Sequence, residues 1–247
     1  MDELFEIFKS SIKNFFEEPK SWLIPILLPI IGMIFGFYIN YSLLILSLLF
    51  SIPFALYLIG IIRKNKLLEF NELFNLRNLV DFFIAGIKGL ITVLILSIPL
   101  IIITIILLMY IINVSEGLIN LDINNLFSSV FSLFLIVYIL IIVHTAYSYF
   151  ISPAFYLSII KNSIKFGLKN FYKIPLTIEY FLANLLGGIF MFGLMFIYST
   201  IIIIVLPTFK IVGAILGIFI LLFSIVWSIH YTSLVIHYIL TNKLKIS

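Results

Sequence analysis

Residues 89–115 read GLITVLILSIPLIIITIILLMYIINVS, 27 positions without one charged side chain. Coiled as a helix that rises about 1.5 Å per residue, the stretch is roughly 40 Å long, and about 20 apolar residues suffice to cross the core of a bilayer. It marks a membrane protein. The whole composition agrees: 63% of the residues are hydrophobic and 11% charged, against roughly 45–50% and 25% in soluble domains, and the mean hydropathy is +1.27. There is no cysteine, which excludes disulfides, thiol catalysis and thiolate metal sites. The net charge is +4. No basic domain stands outside the membrane segments, so nucleic acid is not an expected partner.

On the N-terminal side of this stretch, residues 63–88 mix Arg63, Lys64, Lys66, Glu69, Glu72, Arg77, Asp81 and Lys88 with Leu and Phe. That pattern is too polar to span and predicts one or two short helices on the membrane surface. Before it, residues 21–62 form a charge-free run of 42, long enough for two crossings, at 21–39 and 42–62 with a turn at Asn40-Tyr41. At the start of the chain, residues 1–19 are amphipathic. At about 100° per residue, Leu4, Phe5, Phe8, Ile12, Phe15 and Phe16 share one arc, and Asp2, Glu6, Lys9, Lys13 and Glu17 fill the opposite one. This is the pattern of a helix lying in the membrane interface, and packing on the protein's own loops is the plainer alternative. The early acids and the missing cleavage site argue against a signal peptide.

On the C-terminal side, the third crossing at 89–113 is followed by a fourth at 126–150, which Pro153 is expected to break. Lys161, Lys165, Lys169 and Lys173 then recur every four residues beside Ile160, Ile164, Leu168 and Phe171. Crossings at 180–206 and 211–240 complete the chain. The expected fold class is therefore all-α: a polytopic bundle of about six transmembrane helices with amphipathic surface helices. Six crossings place Lys9, Lys13, Lys20, Arg63, Lys64, Lys66, Arg77, Lys88, Lys161, Lys165, Lys169, Lys173, Lys243 and Lys245 on one side and Lys210 alone on the other. Loops rich in Lys and Arg stay in the cytoplasm, so both termini are expected to be cytoplasmic and the location to be the cell membrane. A weak internal echo links Phe50-Ser-Ile-Pro53 to Phe150-Ile-Ser-Pro153, each followed by a Tyr and a basic exit. Chance among abundant apolar residues explains it more simply.

Gly60-Ile-Ile-Arg63, Leu68-Glu69-Phe70, Phe82-Phe83-Ile-Ala-Gly86-Ile-Lys88 and Ile98-Pro99 resemble the pattern of a domain-of-unknown-function family of chiefly archaeal six-helix integral membrane proteins. Pro153-Ala154, Phe166, Phe171 and Tyr180-Phe181-Leu182-Ala183 extend the resemblance through the second half. Leu68 departs from the pattern, in which a proline precedes the Glu-Phe pair. The family has no established activity, so the resemblance implies a fold and a location and assigns no functional residue. The layout is also similar to that of membrane domains found beside glycerophosphodiesterases.

Catalytic signatures are missing: no His-Glu-x-x-His, no Gly-x-Ser-x-Gly, no phosphate-binding loop and no pair of intramembrane aspartates. His144, His230 and His237 could bind zinc or copper if the fold gathered them, although isolated interface and core histidines explain them more plainly. No cofactor is expected. Gly32 and Gly36, and Gly213 and Gly217, are small-xxx-small pairs that bring helix backbones close, serving packing within a subunit or else a homodimer. The lysines at 161, 165, 169 and 173 are expected to meet anionic headgroups. The favoured reading is a non-enzymatic scaffold that contacts lipid or membrane-protein partners through cytoplasmic helices. The alternative is a small transporter or channel for a neutral solute, suggested by Pro- and Gly-interrupted helices. The charge-free crossings argue against ion-coupled transport of charged substrates, which generally uses intramembrane carboxylates.

Single cysteines placed at Asn120 and Ser247 of this cysteine-free chain test the topology in intact cells with an impermeant thiol reagent. Labelling at Asn120 and protection at Ser247 are expected. The reverse pattern would overturn the orientation.

Overall fold

The computed structural model describes residues 2–34, 44–119, 123–208 and 210–245, and every regular element among them is helical. In order they are α1 (Asp2–Glu17), α2 (Pro19–Ile34), α3 (Leu44–Lys64), α4 (Phe70–Leu73), α5 (Leu76–Ile119), α6 (Ile123–Ile160), α7 (Ile164–Asn170), α8 (Ile178–Thr208) and α9 (Lys210–Tyr238), which runs on as a π-helical turn, Ile239–Lys243. Four stretches among the described residues are long and apolar enough to cross a membrane: Leu76–Ile112, Val130–Ile160, Ile178–Ile201 and Val212–Lys243. They correspond to the third to sixth expected crossings. Pro19–Gly32 is a shorter apolar helix, and the turn expected at Asn40-Tyr41 lies outside the described residues.

Two boundaries differ from expectation. The surface helices expected over 63–88 reduce to the single turn of α4, after which Leu76 already opens α5. No proline interrupts 76–98, and the two glycines there are sites of close helix approach: a Cβ on Gly86 would collide with Ile59, and one on Gly89 would come within 2.9 Å of Phe155. Pro153 does not break α6, which continues to Ile160. The ring forfeits one backbone hydrogen bond, but neighbouring helices hold the helix on both sides of it, with Ile151 before it and Ala154 and Leu157 after it buried. The apolar arc of α1 is covered by protein in part, since Phe8 meets the rings of Phe190, Trp227 and Tyr231, and Phe15 those of Phe223 and His230, while Phe5 and Phe16 of the same arc stay exposed, as a helix lying in an interface requires. The polar arc stays exposed, with Glu6–Lys9 and Lys13–Glu17 pairs along it.

Side chains are buried mainly at the basic end of the bundle. Tyr57, Ile61, Phe82, Leu157, Ile159, Val226, Trp227 and Ile236 belong to one cluster drawn from α3, α5, α6 and α9. Away from that end the helices turn their apolar surfaces outward: Leu94, Ile102 and Met109 on α5, Phe134 and Tyr138 on α6, and Phe192 and Phe196 on α8 are exposed. Lipid is as apolar as leucine, so such surfaces cost nothing in a bilayer and would be untenable in water.

One guanidinium joins three helices at the packed end. Arg63, near the end of α3, donates to Asp81 of α5 at 3.0 Å and to the carbonyl of Ile160, the last residue of α6, at 2.5 Å. The final carbonyls of a helix have no partner within it, and a five-donor fork can serve one of them and a carboxylate together. Both helices that arrive at this joint then stop in the same way. Asn65 after α3 and Asn162 after α6 adopt left-handed backbone conformations, with φ of 56° and 49°, which asparagine tolerates better than most residues.

Candidate functional site

The lysines at 161, 165, 169 and 173 do not form one helical row. Asn162 turns the chain, Ser163 begins a new helix by accepting a hydrogen bond from the Phe166 amide at 3.3 Å, and α7 lasts only seven residues. Lys161 therefore sits in the turn after α6, Lys165 and Lys169 on α7, and Lys173 in the hydrogen-bonded turns that lead to α8. Periodicity missed the break because the spacing of four runs straight across it.

The segment is firmly seated. Lys88 donates to the Asn162 carbonyl at 3.0 Å, the Thr92 and Ser158 hydroxyls share a hydrogen bond of 2.7 Å, and the Asn170 amide donates to the Phe166 carbonyl at 3.0 Å. Gly167 lies so close to α6 that a Cβ there would strike the Ser158 hydroxyl and stand 2.8 Å from the Ala154 carbonyl. Its four lysines nevertheless have no carboxylate partner among the described residues. Lys9, Lys13, Lys66 and Lys243, by contrast, are each paired with a glutamate. In one of those pairs, outside the spanning helices, the Lys66 ammonium 2.8 Å away holds the Glu72 carboxyl below its usual range. Lys161 lies 5.8 Å from the centre of the Phe166 ring, Lys165 and Lys169 are exposed, and Lys173 is half-buried.

Beside this segment, α6 and α8 diverge. Tyr149 bridges them at the basic end, its hydroxyl donating to the Pro175 carbonyl at 3.2 Å and its ring centre 5.1 Å from that of Tyr180. Beyond the bridge the two helices do not pack together along their described lengths. On the outer side is an apolar groove of about 770 Å³ between Ile141, Ile142 and Ala146 of α6, Leu176 in the turn before α8, and Ile178 and Phe181 at the start of α8. On the inner side is a cavity of about 210 Å³ between α8 and α9, lined by Tyr180, Asn184, Gly188, Trp227, Ser228 and Thr232. Its polar groups are partly engaged already: the Asn184 amide donates to the Tyr180 carbonyl at 2.8 Å, and Thr232 meets Tyr156 of α6. Sequence reading passed over this wedge, although Tyr180, Asn184 and Gly188, and Ser224, Ser228 and Thr232, recur at the helical spacing of four.

The three histidines play separate parts. His144 of α6 bonds the Leu140 carbonyl at 2.9 Å and faces Thr104 of α5 at 3.4 Å; His230 is wholly buried; His237 is exposed. Among the described residues no three His, Cys, Asp or Glu side chains lie close enough to hold a metal ion. Gly32, Gly213 and Gly217 are buried, while Gly36 lies outside the described residues. No family model, curated protein or solved structure matches the chain.

His230 generates a test. Both of its ring nitrogens are buried without a hydrogen-bond partner, and an unpaired buried polar group costs about 1–3 kcal/mol, whereas an apolar group of similar shape does not. His230→Leu is expected to raise the stability of the detergent-solubilised protein by about that amount, read from its unfolding midpoint. A comparable loss would show that the imidazole nitrogens are engaged.

Proposed function

We propose that this protein is a non-enzymatic membrane scaffold with six crossings and both termini in the cytoplasm of the cell, contacting anionic lipid and membrane-protein partners through its basic surface segment. The observation that carries the proposal is the contrast between the lysines of residues 161–173, unpaired on a support locked to α5 and α6, and the hydroxyl and amide side chains of the spanning helices. Many of the latter bond the backbone of their own helix, as Thr104, Thr145, Ser148, Asn184, Ser199, Thr200 and Ser224 do. Polar groups tied up in this way support helix structure and leave little chemistry directed along a path through the bundle. The count of six supplements the four long helices with α2 and α3, whose sequence windows at 21–39 and 42–62 carry no charge.

Transport of a neutral solute is the second reading, favoured by one observation, the cavity lined by Asn184, Ser228 and Thr232. Uptake into proteoliposomes separates the two. The scaffold reading expects no flux of glycerol, urea or amino acids above protein-free vesicles, with or without an imposed proton or sodium gradient. Flux that disappears in Asn184→Leu would make the inner cavity a permeation site and contradict the scaffold reading.

A further inference from the structure

The bundle contains two pairs of helices in which one helix runs to the basic end, a short helix follows and another runs back: α3 with α5 through α4, and α6 with α8 through α7. The first pair is closed by the Arg63–Asp81 ion pair at 3.0 Å. The second has no ion pair between its members among the described residues and diverges beyond Tyr149. The acid at the start of α8, Glu179, is engaged elsewhere, by Lys243 at 2.9 Å. The second pair is therefore the one that opens sideways into the bilayer.

We propose that the groove between α6 and α8 holds one acyl chain of an anionic phospholipid, with Lys173 at its mouth taking the headgroup phosphate. This rests on the lipid-contacting reading above and gives it a particular site. The groove walls are almost wholly apolar, as a chain requires, with Ile141, Ile142, Ala146, Leu176 and Phe181 along them. Its mouth is at the basic end, where the Tyr149 hydroxyl bonds the Pro175 carbonyl. Lys173 stands two residues before that proline, half-buried and without a carboxylate partner among the described residues, and with Glu179 neutralised by Lys243 no free carboxylate at the start of α8 repels an anion. Basic pockets between transmembrane helices are the sites where anionic lipids dwell longer than bulk lipid. A second helix, about 10 Å across, would have to displace the Tyr149 bridge to enter as far as the mouth, whereas a single chain can lie along the walls below it.

The test uses the full chain, reconstituted with equal phosphatidylglycerol and phosphatidylcholine, extracted gently and weighed with its bound lipid by native mass spectrometry. The wild-type protein should keep phosphatidylglycerol in preference to phosphatidylcholine. Lys173→Gln should lower that retention roughly fivefold, the size expected of one lysine at an anionic surface, and leave phosphatidylcholine unchanged. Ala146→Trp, which fills the exposed groove, should abolish the preferred lipid, and Thr145→Phe serves if that variant does not fold. Leu94→Trp, on the lipid-facing side of α5, should change nothing. Equal retention of both lipids by the wild type, or unchanged retention in Lys173→Gln or in the groove-filled variants, would overturn the proposal; so would a dimer mass that Ala146→Trp abolishes, since a second copy would then occupy the groove. Solute flux in the preceding experiment would instead overturn the scaffold reading and leave this lipid seat intact.

Discussion

The guanidinium of Arg63 is the contact on which the packed end of this bundle depends. It holds the end of α3 against Asp81 of α5 and against the terminal carbonyl of α6, at 3.0 and 2.5 Å, and is only 24% exposed itself. A bond to an ionised partner in such a site is stronger than a neutral one, and lysine could not replace it, because a point charge on a flexible stem cannot address two acceptors in a fixed plane. With these three helices fixed, the turns at Asn65 and Asn162 are fixed as well. The Asn65 side chain then accepts a hydrogen bond from Ser233 of α9 at 3.0 Å, and the Asn162 carbonyl accepts from Lys88. The spanning helices can therefore diverge into lipid without loosening the assembly.

The same joint explains why the two halves differ. The helices that meet at Arg63 are locked by an ion pair, whereas the described residues of α6 and α8 meet near the basic end through Tyr149, Ser152 and Tyr180, with no ion pair between them. A membrane protein gains little from burying one apolar helix face against another, because lipid covers it equally well. Whether two helices close is decided instead by small residues and by polar bonds. Gly60, Gly86 and Gly89 bring side chains of neighbouring elements into close contact at the locked side. In α8, a Cβ added at Gly188 or Gly193 would meet nothing within 4 Å, so neither glycine marks a close helix approach.

Class and helix placement were largely legible in residues 89–115 and in the other charge-free windows, because twenty apolar residues in succession have one physical meaning. Boundaries were less legible. Charge density suggested surface helices over 63–88, but a helix continues wherever backbone geometry and packing permit, and the pattern that places Asp81 beside Arg63 is a long-range pairing with no local signature. Pro153 was expected to stop a helix, yet a proline flanked by buried Ile151 and Ala154 is held in place by its neighbours. The lysine spacing suggested a continuous face, and the single left-handed residue Asn162 divided it. The spacing at 180, 184 and 188 was there to be read, but the wedge itself was not, since it depends on which helices fail to meet.

The account turns on Arg63 and Asp81 acting as one unit, and a double-mutant cycle measures that directly. The midpoints of Arg63→Gln, Asp81→Asn and the double variant would be compared with wild type by reversible unfolding in mixed micelles. The account predicts that either single change is costly and that the second adds little, with a coupling of about 1–3 kcal/mol. Additive losses with no coupling would show that the ion pair is incidental and that the packed end is held by apolar contact alone.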